Sequence, residues 1–147
     1  LGSMVLLLAL LLAVSTFLRN REYSSEVAIW RSVLAVCPDN VRARNDLAVS
    51  LSEAGQRREA LREYSAIIQQ RGLIVDTLQA DAVYDNNSLR MNVFRAYANR
   101  GLLHQELGHL ADAERDYRAA LELRPGAESV IYKLEHVRRL KMRERQP

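Results

Sequence analysis

Apolar and polar positions follow two textures along this chain. From Met4 to Leu18 only Ser15 and Thr16 are polar, and Val5 to Val14 is apolar on every side of any helix. From about residue 21 to 140 the apolar residues instead recur at three- and four-residue spacing, the period of amphipathic helices. That second region is punctuated by Pro38, Gly55, Gly108 and Pro125, and it ends in a segment where Val130, Ile131, Leu134, Val137 and Leu140 share one side. The pattern predicts an all-α chain of about seven helices, with short connections at those prolines and glycines.

Two of the helical stretches can be superposed. Val41–Gly72 reads VRARNDLAVSLSEAGQRREALREYSAIIQQRG, and Phe94–Pro125 reads FRAYANRGLLHQELGHLADAERDYRAALELRP. With Val41 and Phe94 at position 1, small residues recur at position 8 (Ala48, Gly101) and glycines at 15 (Gly55, Gly108). Alanines recur at 20 (Ala60, Ala113) and tyrosines at 24 (Tyr64, Tyr117), and Pro125 closes the second copy at 32. Small residues let two helices approach closely, a glycine ends the first helix in a left-handed conformation, and a proline stops the second.

This pattern resembles the tetratricopeptide repeat, a helix–turn–helix unit of 34 residues. The resemblance covers about residues 21–140 and implies a right-handed solenoid. Domain boundaries follow from it: 1–3 a cloning scar, 4–20 an apolar helix, 21–40 helix B of a first repeat, 41–72 a full repeat, 73–93 an insertion, 94–127 a second full repeat, and 128–147 a basic capping helix and tail. In the first repeat Trp30 takes position 24 and Pro38 position 32, although Glu26 stands where a small residue is expected. The two full copies start 53 residues apart, an excess of 19 over the repeat length. Within the excess, a short helix is predicted over Asp76–Tyr84, then a turn at Asp85–Ser88 that caps a lengthened helix beginning near Leu89.

In repeats of this family, helix A residues at positions 2, 5, 6, 9, 12 and 13 line a concave face that holds peptide partners. By position, the resemblance implies a groove of Arg42, Asn45 and Val49 from one copy, Arg95, Asn99 and Leu102 from the next, and Lys133 and His136 from the end helix. The cationic and amide members form a strip of donors suited to an extended backbone or a terminal carboxylate. The family's carboxylate-clamp pattern places its Asn and Lys differently. The chain is therefore expected to be a non-catalytic scaffold binding a protein or peptide, without a cofactor.

The apolar stretch permits several readings. As a helix, Met4–Leu18 spans roughly 22 Å, short of the roughly 30 Å hydrocarbon core. Ala13-Val14-Ser15 has the small residues of a signal cleavage site, but no basic region precedes it. Leu10, Ala13, Val14 and Phe17 also suit helix A of the first repeat, leaving Leu6, Leu7, Leu8, Leu11 and Leu12 as surplus. The expectation is a helix that leaves a membrane and runs into the first repeat, tethering the domain, with the surplus leucines contacting lipid or a second copy in a homodimer. The order of apolar helix and Trp-bearing repeat is similar to the tail of multi-pass membrane proteins of the TMTC or glycosyltransferase type. An accessory domain of such an enzyme is thus one alternative, and the side of the membrane stays open.

Charge and candidate chemistry change this picture little. The net charge is +3, but Val130–Pro147 alone carries six Lys/Arg against two Glu, leaving the rest slightly acidic. A basic tail on a neutral body speaks for a solvated helix face and makes nucleic-acid binding the weakest alternative. Cys37 stands alone, so no intrachain disulfide is possible. His104, Glu106 and His109 hint at a metal site, but the histidines are five apart with Gly108 between, where a zincin helix needs four, so no metal is expected. Asn86-Asn87-Ser88 satisfies a glycosylation tripeptide, which matters only in a secretory compartment. There is no glycine-rich phosphate loop, and Cys37 has no histidine near it in sequence.

Overall fold

The computed structural model describes residues 26–77 and 86–144. Among the described residues there are six α-helices and no strand: α1 (Glu26–Val36), α2 (Val41–Glu53), α3 (Arg57–Thr77), α4 (Asn86–Glu106), α5 (Leu110–Leu123) and α6 (Glu128–Glu144). The fold is an all-α, tetratricopeptide-like array. The apolar stretch, with Leu6, Leu7, Leu8, Leu11 and Leu12, lies outside the described residues, as do residues 78–85 of the expected insertion. No helix among those described is long and apolar enough to cross a membrane.

Each helix ends for a reason visible in the sequence. Pro38 stops α1, and Asn40 then caps α2, its side-chain oxygen accepting the Ala43 N–H at 3.0 Å. At the end of α2, Gly55 takes φ +76°, which lets the Gln56 N–H reach the Leu51 carbonyl at 2.8 Å. The α4–α5 turn repeats this geometry, with Gly108 at φ +77° and the His109 N–H on the His104 carbonyl at 2.8 Å. Both are Schellman closures, and an L-side chain would strain either glycine position.

The helices form two layers. The backbones of α2, α4 and α6 approach one another in order, α2 to α4 and α4 to α6, whereas those of α1, α3 and α5 do not. Each outer helix instead packs against its neighbours in sequence. Alternate helices therefore line one face, as the repeat requires. The core is built at the repeated positions: Ala48, Ala60 and Ala113 are fully buried, Tyr64 reaches Asn99 of the next helix pair at 2% exposure, and Tyr117 packs against Gly101 within its own pair at 0%. Such burial stabilises by roughly 1.5–3 kcal/mol per large side chain.

The excess residues lengthen helices on both sides of the undescribed segment. Helices α3 and α4 each run 21 residues, against 13 for α2 and 14 for α5. Helix α3 contains Asp76 and Thr77, and α4 starts at Asn86 rather than near Leu89. Asn86, Asn87 and Ser88 thus form its first turn instead of a turn ahead of it. Small polar residues are cheap there because the first N–H groups have no intrahelical partner.

Helix α6 caps the array through Val130, Leu134 and Val137, all buried, with Leu140 packed beside them. Ile131, expected on that side, is exposed, since it lies about 100° around the helix from Val130. The basic residues are not all solvated either. Glu114 of α5 receives Lys141, Arg138 (3.3 Å) and Arg118 (2.6 Å), so two cations of α6 are tied down on α5. The Lys141 ammonium, with lesser help from Arg138 and Arg118, holds the Glu114 carboxyl below its ordinary value despite some burial. Its contribution is therefore complete above the unfolded value of about 4.3 and fades as pH falls through the lower folded value. Once the intrinsic slowing of exchange in acid is divided out, the protection of α6 amides should fall more in wild type between about pH 5 and 3 than in Glu114→Gln, which starts weaker and changes less.

Candidate peptide-binding groove

The face shared by α2, α4 and α6 carries the residues expected to line a groove. Arg42 and Arg95 are exposed, and Val49, Asn99, Leu102, Lys133 and His136 are half-buried. Tyr132 and Arg139 are exposed beside them on α6. Asn99 is engaged from below by a hydrogen bond with the hydroxyl of Tyr64. Burial pushes that hydroxyl up to about 12, the Asn99 bond opposing and Glu53 reinforcing the rise.

Asn45 does not join this strip. It is 2% exposed, and its Nδ2 donates to the Asn92 carbonyl at 2.9 Å. Position 5 of α2 faces α4 across the layer, so this amide ties successive inner helices together rather than meeting a ligand. Ala98, at the same position of α4, is also buried.

At one edge of the face is a cleft of about 520 Å³ that the repeat pattern alone does not contain. Its lining comes from the Cys37–Arg42 turn on one side and from Ser88, Leu89 and Asn92 on the other. Arg42 belongs to both the groove and this cleft. Ser88, Leu89 and Asn92 all precede Phe94, where the regular repeat begins, so the extension of α4 builds the second wall. The cleft offers the Arg42 guanidinium, the Asp39 carboxylate, a thiol, a hydroxyl and amides against the apolar Pro38, Val41 and Leu89. That mixture suits a peptide segment in extended form. Its lining holds no histidine to activate the exposed Cys37. Arg95, Asn99, Leu102, Lys133 and His136 do not line it. Sequence reasoning missed this wall, although the excess of residues ahead of Phe94 was its signal.

At the opposite ends of the inner helices, His104, His109 and Asp112 gather around the Gly108 turn. Glu106, grouped with the histidines on sequence, turns away and lies 4.0 Å from Arg57 of α3. Spacing five puts two residues about 140° apart on one continuous helix. Here the chain reverses at Gly108, and the same spacing brings the second histidine back over the first.

Residues 94–126 match the family model for the tetratricopeptide repeat, covering α5 and most of α4. The match supports a tetratricopeptide-repeat family, whose repeats are generally protein–protein interaction modules and typically non-catalytic. Comparison with curated proteins finds no match.

Proposed function

We propose that the chain is a non-catalytic scaffold that holds an extended peptide, or a peptide-like segment of a partner domain, along the face of α2, α4 and α6. The observation that carries this reading is the cleft beside Arg42, where the lengthened α4 adds a wall to an inner face already rich in exposed polar side chains. Arg42, Arg95, Lys133 and Arg139 bring cations to that face, which favours a partner segment with acidic side chains or a free carboxylate. Tethering to a membrane rests on the apolar residues 4–18 alone, and pairing of two copies would use Leu6, Leu7, Leu8, Leu11 and Leu12. The basic face of α6 favours nucleic acid less, because Arg138 and Lys141 are committed to Glu114.

Selection from a random peptide library on wild type and on Arg42→Glu/Arg95→Glu/Lys133→Glu tests the reading. Wild type should enrich acidic or carboxylate-terminated peptides, and the variant should bind them at least about tenfold more weakly. Equal binding by both proteins would reject the groove as the site.

A further inference from the structure

We propose that His104, His109 and Asp112 form a binding site for a first-row divalent transition-metal cation of the Zn²⁺ class, closing the turn between α4 and α5. One ligand atom of each residue lies within 4.8 Å of those of the other two. The imidazole centroids are 5.8 Å apart and tilted by 42°. Tetrahedral Zn²⁺ with ligands near 2.0–2.1 Å spaces them about 3.3 Å apart, so modest side-chain rotation closes the site. Two imidazoles and a carboxylate suit such an ion and leave a coordination position open.

Several features separate this cluster from a chance meeting of polar residues. The Nδ1 of His104 is buried without a hydrogen-bond partner, an uncommon state for a polar nitrogen. Its Nε2 lies 4.0 Å from the Oδ2 of Asp116, beyond hydrogen-bond reach, so no carboxylate holds the ring in another orientation. His109 stands at the N-cap of α5 but makes no side-chain capping bond, so its ring is uncommitted. The backbone bond from the His109 N–H to the His104 carbonyl fixes the two residues relative to each other. A cleft of about 390 Å³, lined by His109, Asp112, Lys141 and Glu144 among others, adjoins the cluster and gives the open position access to solvent.

Two effects oppose binding. The N-terminus of α5 carries partial positive charge, and Arg115 is paired with Asp112. The Arg115 pair is exposed and spans a single helical turn, so it yields readily. Asp116 keeps its charge within the Arg100 pair, so Asp112, once Arg115 yields, is the carboxylate that serves the ion.

Titration calorimetry of the full chain with ZnCl₂, in a Cys37→Ser background to remove the competing thiol, tests the site. The expected result is one Zn²⁺ per chain, with no heat from MgCl₂ and a rise in melting temperature that EDTA reverses. His109→Ala and Asp112→Asn, each checked for an unchanged fold by circular dichroism, should each weaken binding at least about tenfold. Co²⁺ should give a visible d–d spectrum in the background protein that His109→Ala loses. Absence of Zn²⁺ binding, or unchanged affinity in the His109→Ala/Asp112→Asn double variant, would overturn the proposal.

Discussion

Tyr117→Ala is expected to destabilise the chain by about 4 kcal/mol, a large share of the 5–15 kcal/mol that holds a typical domain folded. The ring is fully buried between α4 and α5, and its hydroxyl donates to the Gln105 Oε1 at 3.0 Å. Burial pushes that hydroxyl well above its ordinary value, so it stays protonated and bonded. The site cannot collapse after truncation, because the surface facing the ring is the α4 backbone. A Cβ on Gly101 would stand only 2.9 Å from the Tyr117 Cε1 and 3.2 Å from the Asp116 Cβ. Gly101→Ala should therefore destabilise despite a helix-propensity gain of about 1 kcal/mol, since overpacking costs about 1–3 kcal/mol. In the double variant the alanine at 101 should cost less than it does alone, because the ring it struck is gone and only the 3.2 Å approach to the Asp116 Cβ remains. Urea melts of the three variants measure all of this. A loss below about 1 kcal/mol for Tyr117→Ala would contradict the close packing described.

Asp116→Ala should cost about 3 kcal/mol or more. The carboxylate is 4% exposed and accepts from the Arg100 Nε and Nη2, at 2.8 and 2.7 Å, while the Arg100 Nη1 donates to the Ser65 Oγ of α3 at 2.9 Å. One pair thus joins α3, α4 and α5. Burial works against the Arg100 charge, but the Asp116 hydrogen bonds and charge outweigh it and raise the pKa further above its ordinary value. The guanidinium cannot escape by losing its proton when Asp116 is removed. Arg100→Met/Asp116→Ala should accordingly cost less than the sum of its single changes, because it leaves no buried charge behind. Strict additivity in denaturant melts would show that the two groups do not depend on each other.

Much of this fold was legible because single residue types carry its geometry. A small residue at 48 or 101, a left-handed glycine at 55 or 108 and a large ring at 64 or 117 each have one steric job, and the structure finds each doing it. The Pro38-Asp39-Asn40 turn was readable for the same reason. What escaped depends on distances between helices. Asn45 has the position of a groove residue, but the approach of α2 to α4 turns its amide into a tie between them. The acid at position 23 of each copy, Glu63 or Asp116, recruits an arginine from helix A, yet from position 4 (Arg44) in one copy and position 7 (Arg100) in the other. No local pattern selects between those partners. Histidines five apart diverge on a continuous helix, whereas here the chain reverses between the two and brings them together. Of the candidate groove, the exposure of Arg42 and Arg95 followed from repeat position, while the cleft wall depends on where α4 begins.

The central claim is that the inner face binds a partner, and amide hydrogen exchange with a peptide selected on wild type tests it most directly. Added protection should concentrate in α2, α4 and α6 and in the Cys37–Arg42 turn, with the first turns of α4 among the most affected segments. Protection confined to α1, α3 and α5, the outer layer, would contradict the account.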